Sequence, residues 1–380
     1  MRLLFTITFY SPYLSGLTLY VKRLAEAFSG EYPTTVLTFR HKKELPVSES
    51  LKNVNIVRAI PLVSISKGFL SPDFVAKCWL LVKDCDVVVI NLPELEGLVA
   101  AIFGKLFRKK VISIYHCEVI LPDNFINKII QAVLNSANFL TLWLSESIVT
   151  YTDDFAVNSR YLNSFIKKVK TVYPLINSPE VNKRVQNIII KKIGTSNSKI
   201  IGVAARLAAE KGIEYLLEAI PLIRRELGKI DFKIVIAGSL SPVGEESYKK
   251  KITGLAEKYK DSVIFLGEIR ENKMGSFYSL IDILVLPSVN STESFGMVQV
   301  EAMMMGVPVV VSDLPGVRQP VIITGMGVVV PPKNAARLAS AIAETVRHKS
   351  KFIKPKALIN EIFAVEKTVH FYRRLLSSEK

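Results

Sequence analysis

The sequence predicts an α/β protein made of two doubly wound, Rossmann-like parallel-sheet domains. The chain has 380 residues, and at about 150 residues per domain that length suits two domains. Short β-branched runs alternate with longer segments of helical period, the pattern of βαβ units. Runs such as Asp86-Val87-Val88-Val89-Ile90 and Ile234-Val235-Ile236-Ala237 are apolar without alternation, as expected where helices cover both faces of a sheet.

In the first half the pattern places strands at 3–8, 35–39, 54–58, 86–91, 111–115 and Ser147–Thr150. Helices fall between them at 17–28, 73–82, 95–107 and 124–142. After Tyr173-Pro174 a polar stretch with Asn177, Ser178, Pro179 and Asn182 reads as a linker and helix start. The alternation then restarts, with strands at 200–205, 233–237, 262–266, 283–287 and 307–312. Helices near 213–227, 245–258, 272–280 and 296–305 separate them. A final segment, 356–376, carries Leu358, Ile362, Val365, Val369, Tyr372 and Leu376 on one helical face. The expected division is 1–174 and 175–355, with a central cleft between the halves and ligands beyond the strand C-termini facing it.

Composition removes several classes. Hydrophobic residues make up 49% and charged residues 22%, enough for ordinary cores and against disorder. Cys78, Cys85 and Cys117 show no metal-ligand spacing, which disfavours a disulfide scaffold or zinc site and fits a reducing, cytoplasmic setting. The N-terminus reads as a first strand rather than a signal peptide, and no apolar run is long enough to span a bilayer. Fifty Lys and Arg against 34 Asp and Glu give +16. That surplus points to a polyanion, an anionic membrane surface or a phosphate-rich ligand.

No G-x-G-x-x-G follows a strand and no P-loop is present, so the commonest dinucleotide and NTPase readings fall away. The densest constellation runs from Pro287 through Ser294-Phe295-Gly296-Met297-Val298 to Glu301 and Ala302, between a strand end and a helix start. Gly296 permits close backbone approach, and first-turn N–H groups can receive phosphate or sugar oxygens. Glu301 can accept hydrogen bonds from a vicinal diol such as ribose, and Glu293 is placed to contact a sugar. The bland alternative is a helix whose acids complement the dipole or face water. In Gly202-Val203-Ala204-Ala205-Arg206-Leu207-Ala208-Ala209-Glu210-Lys211-Gly212, Arg206 follows a strand and Lys211 precedes a helix. A fork and a point charge at that edge suit a diphosphate, and would act most strongly as charge builds on a leaving group.

These segments, R-x4-K-G, Glu-x7-Glu around S-F-G-M, and the Ala302-Met303-Met304-Met305-Gly306-Val307-Pro308 run, resemble the retaining GT-B glycosyltransferases of family 4. The resemblance covers nearly the whole chain and is densest from residue 200 to 330. It implies sugar transfer from a nucleotide diphosphate sugar with retained anomeric configuration. It also implies donor binding by the C-terminal domain, acceptor binding by the N-terminal domain, and a last helix crossing back. By that match Arg206 and Lys211 would bind diphosphate, Glu293 the sugar and Glu301 the ribose, with a nucleobase contact around Ile269. Ser15-Gly16, in Ser11-Pro12-Tyr13-Leu14-Ser15-Gly16, stands where the family has Gly-Gly; Gly16 amides would meet the donor phosphate, or the segment is an ordinary strand–helix turn. His116, at the end of a strand, matches the family's active-site histidine and would contact the donor sugar. His116 is not assigned as a general base, because the resemblance implies front-face transfer in which the departing phosphate accepts the acceptor's proton; the family has no settled nucleophile, and Glu293 is not assigned as one.

Asp84-Cys85-Asp86 spells D-x-D, a metal–diphosphate motif of the other large glycosyltransferase fold, but lies far from the donor constellation. The expectation is metal-independent activity, with no cofactor beyond the nucleotide sugar. Basic clusters at 108–110, 167–170 and 249–251 lie partly beside apolar helical segments near 97–107 and 124–144. An apolar helix flanked by Lys and Arg can lie in an anionic membrane interface, or such helices simply cover the sheet. The acceptor is therefore expected to be a glycan or lipid-linked, at the inner face of a membrane in the second case. Other GT-B activities, an epimerase or a phosphorylase, are the nearer rivals. A nucleic-acid-binding role lacks any reading motif.

Overall fold

The apolar runs become two parallel sheets, in a computed structural model that describes residues 1–377 other than 14, 66–67, 195–196 and 243. The chain divides into one unit of Met1–Leu175 with the segment from Val365 onward, and a second of Ile176–Ala364. In the first unit the strands are β1 (Leu3–Thr6), β2 (Thr34–Phe39), β3 (Ser48–Leu51) and β4 (Val54–Ala59). A separate antiparallel hairpin, β5 (Val63–Ile65) and β6 (Gly68–Leu70), precedes β7 (Val87–Leu92), β8 (Lys110–Tyr115), β9 (Ser147–Thr150) and β10 (Val169–Thr171). The eight-stranded order is β10-β9-β8-β7-β1-β2-β4-β3. Only the edge strand β3 runs antiparallel to its neighbour.

Helices α1 (Gly16–Phe28), α2 (Pro72–Asp84), α3 (Gly97–Leu106), α4 (Phe125–Leu144) and α5 (Asp153–Asn158) link these strands. Their starts are chemically marked. Ser15, Ser71, Asn124 and Thr152 each accept a first-turn amide through the side chain, which satisfies one of the orphan N–H groups of a helix start. Phe74, Cys78 and Val82 of α2, Ala100 and Ala101 of α3 and Leu142 of α4 share one core with Val88, Ile90 and Val111 of the sheet. The three helices thus form one layer.

In the second unit α6 (Lys183–Ile193) leads into β11 (Lys199–Ala204), α7 (Ile213–Glu218), α8 (Ile220–Leu227), β12 (Phe232–Ala237), α9 (Glu246–Glu257) and β13 (Val263–Gly267). There follow α10 (Met274–Tyr278), β14 (Ile283–Leu286), α11 (Met297–Met304), β15 (Val309–Ser312), α12 (Gln319–Thr324) and β16 (Gly327–Val330). Then come α13 (Ala335–Arg347), α14 (Lys349–Phe352) and α15 (Lys356–Ile362). The sheet order β13-β12-β11-β14-β15-β16 reverses direction beside β11, the position where open α/β sheets bind ligands.

Three expected helices differ. The span 213–227 is two helices meeting at Ala219, because Pro221 has no N–H to continue the ladder. The span 272–280 shortens to α10 after a 3₁₀ turn. The single face expected over 356–376 is α15 and then α16 (Val365–Ser377), interrupted at Phe363, which is buried. Helix α16 is tied into the first unit: the Tyr372 and Tyr20 hydroxyls are hydrogen-bonded, Thr368 Oγ1 donates to Tyr173 O at 2.9 Å, and Lys110 Nζ donates to Leu375 O at 2.6 Å. Lys110 is therefore buried beneath a helix C-terminus, not part of a surface cluster with Arg108 and Lys109. Helix α13 and strand β16 were not anticipated; Gly327 and the short Val328-Val329-Val330 run gave too little pattern.

Candidate active site

At the C-terminal edge of the second sheet the loops are bound to one another by their backbones. Leu207 N donates to Ser239 O at 2.9 Å, Gly238 N to Gly267 O at 2.9 Å, and Val289 N to Glu210 O at 3.0 Å. The loops after β11, β12, β13 and β14 are thus held in register, which a preorganised ligand site needs. Gly212 has φ +60°, and a Cβ there would stand 2.2 Å from Pro287 O. Gly296 has φ +74°, with a Cβ position 2.5 Å from Leu286 Cδ2. Both positions exclude a side chain on conformational and steric grounds.

On this frame Lys211 Nζ meets Glu293 Oε2 at 2.6 Å, and Arg206 Nη2 meets Glu210 Oε1 at 2.6 Å. All four side chains are partly shielded, between 12% and 28% exposed, so these pairs are stronger than exposed surface pairs. Two residues expected to serve diphosphate and sugar, 82 positions apart, therefore touch. Glu301, on α11, accepts from the Tyr278 hydroxyl at 2.9 Å. Gly296 caps α11, and the first amide with a partner one turn back within this element is Gln299 N, bonded to Gly296 O at 2.9 Å. The amides of Met297 and Val298 precede it, in the geometry that leaves first-turn donors for an anion. Ile269 lies half-buried in the loop after β13.

Two expected contacts need correcting. Phe295 is 1% exposed, with its ring edge-on to Phe363, and Ser294 is buried as well. Their side chains pack inside the unit. Gln299, fully buried, fixes the loop by donating through Nε2 to Val317 O at 2.9 Å. Sequence reasoning missed Tyr278, Glu210 and Gln299. Glu210, four residues after Arg206, was legible from spacing; Tyr278 reaches Glu301 from another helix and left no signal.

In the first unit the Ser15 hydroxyl accepts Thr18 N at 3.1 Å, so that side chain serves the helix start, followed by Gly16 on the exposed surface. Leu14 of the same segment lies outside the described residues. His116 does stand at the end of β8, but it is 3% exposed. Its Nε2 pairs with Asn91 Oδ1 at 3.0 Å and its Nδ1 with the Tyr151 hydroxyl; Tyr20 packs edge-on against the ring. Burial lowers its pKa from 6.5 to about 3, so the imidazole is neutral at physiological pH. As the chain is folded here the ring contacts protein groups on both nitrogens, which corrects the expectation of an open sugar contact. After β7, Glu94 and Glu96 are buried, and burial, with the charge of Glu96, holds the Glu94 carboxyl well above its ordinary range. Thr6 Oγ1 donates to Glu94 Oε1 at 2.6 Å.

Asp84 and Asp86 lie at the opposite, N-terminal edge of the first sheet and bind Arg2: Asp84 through its guanidinium and Asp86 through its amide at 2.7 Å. The D-x-D spelling is a strand-edge clamp. Among the described residues no group of three His, Cys, Asp or Glu side chains is placed to hold a metal ion.

Comparison with known proteins follows the same division. Residues 185–362 match the sequence model of the family described as Glycosyl transferases group 1. An uncharacterized glycosyltransferase of Methanocaldococcus jannaschii is 27% identical over 339 residues, 86% of this chain and 84% of that protein. The alpha-D-kanosaminyltransferase of Streptomyces kanamyceticus is 34% identical over 152 residues, 40% of this chain and 37% of that one. Among solved structures, Anabaena HepE in complex with UDP and glucose superposes with a TM-score of 0.77 at 20% identity, over 100% of both chains.

Proposed function

We propose that this chain, a glycosyltransferase of GT-B type, moves a hexose from a UDP- or GDP-linked donor to a glycan or lipid-linked acceptor with retention of anomeric configuration. The observation that carries the reading is the contact of Lys211 with Glu293, beside the Arg206–Glu210 pair, at the ligand-binding edge of the second sheet. In the absence of donor, each carboxylate holds a cation in place. An arriving diphosphate offers both cations a more highly charged partner. Arg206 then grips it as a fork and Lys211 as a point charge. Glu293, released from Lys211, accepts sugar hydroxyls, while Glu301, oriented by Tyr278, accepts the ribose diol. The first-turn amides of Met297 and Val298 add donors for phosphate or sugar oxygens, and the loop at Ile269 receives the base.

As the sugar–phosphate bond breaks, negative charge builds on the leaving diphosphate, and fixed cations stabilise that state more than the ground state. The same two cations supply the charge that a divalent metal would otherwise provide, so the reaction needs no metal and no cofactor beyond the nucleotide sugar. HepE was solved with UDP-glucose, which favours testing a UDP donor first. The experiment is a panel of UDP-, GDP- and ADP-sugars with and without EDTA, with the product anomer read by NMR. A retained anomer from a UDP- or GDP-sugar in EDTA supports the reading. An inverted product, strict metal dependence or inactivity with every donor overturns it.

A further inference from the structure

Helix α4 is turned inside out relative to an ordinary surface helix. It buries Ala137, Asn138, Thr141 and Leu142, a small and partly polar set. Phe125, Ile126, Ile129, Val133, Leu140 and Trp143 are left between 46% and 77% exposed. Positions 126, 129, 133, 140 and 143 recur at helical spacing, so they form one outward stripe. A surface helix normally shows the reverse arrangement. The helix has 20 residues, so its apolar stripe is about 30 Å long. Its one charged residue is the exposed Lys128. The neighbouring helix α3 adds exposed Ile102 and Leu106 to the same layer.

The charges around this stripe select what covers it. Lys105 and Arg108 at the end of α3 and Lys167 after α5 are exposed; Lys105 is paired with Glu146 at 3.3 Å and Lys128 with Asp123 at 2.9 Å, which leaves the rim with a cationic surplus. Lys168 marks the Trp143 end, donating to Trp143 O at 2.7 Å. A second copy of the chain would bring these like charges together across the contact. An anionic lipid surface would accept both parts: apolar side chains in the acyl boundary and cations among the headgroups. No helix among the described residues is long and apolar enough to cross a membrane.

We propose that the outer face of α4 lies in the interface of an anionic membrane, held there by the apolar stripe and the surrounding lysines and arginine. The proposal stands apart from the donor reading, since it uses none of the same residues. The protein carries its own reporter. Of its two tryptophans, Trp143 is on the stripe, and Trp79→Phe leaves it alone. Mixed phosphatidylcholine–phosphatidylglycerol vesicles should shift Trp143 emission to the blue at low salt, and added salt should weaken the effect. Pure phosphatidylcholine should bind weakly. The triple variant Ile126→Gln, Ile129→Gln, Val133→Gln should bind mixed vesicles at least about tenfold more weakly, given the apolar area removed from each contact. Its melting temperature and its binding of UDP or GDP should stay at wild-type values. Absence of vesicle binding by the wild type, equal binding by the triple variant, or a concentration-dependent dimer that the triple variant abolishes would overturn the proposal.

Discussion

Lys211 and Glu293 are far apart in sequence and 2.6 Å apart in space, so each can be tested through the other. Lys211→Ala should slow transfer by on the order of 10²-fold, the scale of losing one donor to a developing anion, with donor binding reduced far less. Glu301→Ala should instead weaken donor binding, because its carboxylate and the Tyr278 hydroxyl form one hydrogen-bonded unit. Steady-state kinetics beside calorimetric donor titration separates these outcomes, and identical profiles for the two variants would refute the division of roles. Buried titratable groups give a second test in the first unit. His116 takes up its proton only near pH 3 when folded, but near about 6.5 when unfolded. Its contribution therefore makes stability fall as pH drops through that window, and His116→Gln should lower the slope by up to about 1.4 kcal/mol per pH unit. Glu94 has the opposite sign. Its raised folded pKa means stability is lost as pH rises above the unfolded carboxyl range. Glu94→Gln should thus raise the denaturation midpoint at pH 8 more than at pH 4. At this scale strand–loop–helix spacing located Arg206 and Lys211 after β11, Glu293 after β14 and Glu301 on α11. It did not show that Phe295 faces inward or that both nitrogens of His116 are occupied, because those depend on Phe363, Asn91 and Tyr151 arriving from elsewhere.

Elements were legible in proportion to their apolar period. Strands β7, β8, β11 and β12 were located within a residue or two, since each is a run of Val and Ile buried on both faces. Edge elements were missed: β3 has the sequence SESL and is largely exposed, so it carries no burial pattern to read. Helix interruptions followed local chemistry that the period conceals, Pro221 between α7 and α8 being the clearest. The loops at the sheet edge depend on glycine in the same way. Gly212→Ala would force a Cβ to within 2.2 Å of Pro287 O at φ +60°, and should cost about 1–3 kcal/mol in a thermal or denaturant melt. It should also slow transfer, because Lys211 is the adjacent residue. A variant as stable as the wild type would show that the loop after β11 is not held as tightly as its hydrogen bonds indicate.

Across the whole chain, the surplus of +16 divides into several uses. Lys110, Lys168 and Lys233 donate to carbonyls at or beside the C-termini of α16, α4 and α6, where cations complement the helix dipole. Arg206 and Lys211 sit against carboxylates at the candidate donor site, and exposed cations surround the apolar face of α4. Composition could supply the total but not this division, since the same lysine serves as a helix cap or a surface charge according to what folds over it. The α/β architecture was readable because two sheets of near-continuous apolar strands leave few alternatives. The return of α16 to the first unit rests on contacts such as Tyr20 with Tyr372, which no local pattern foretells. The most direct test is calorimetric titration of UDP and GDP in EDTA into the wild type and the Arg206→Ala and Glu301→Ala variants. Metal-free binding of one nucleotide by the wild type, weakened about tenfold or more in both variants, is the predicted result. Binding that requires a divalent metal, or that both variants retain at full strength, would contradict the assignment of the second unit's sheet edge as the donor site.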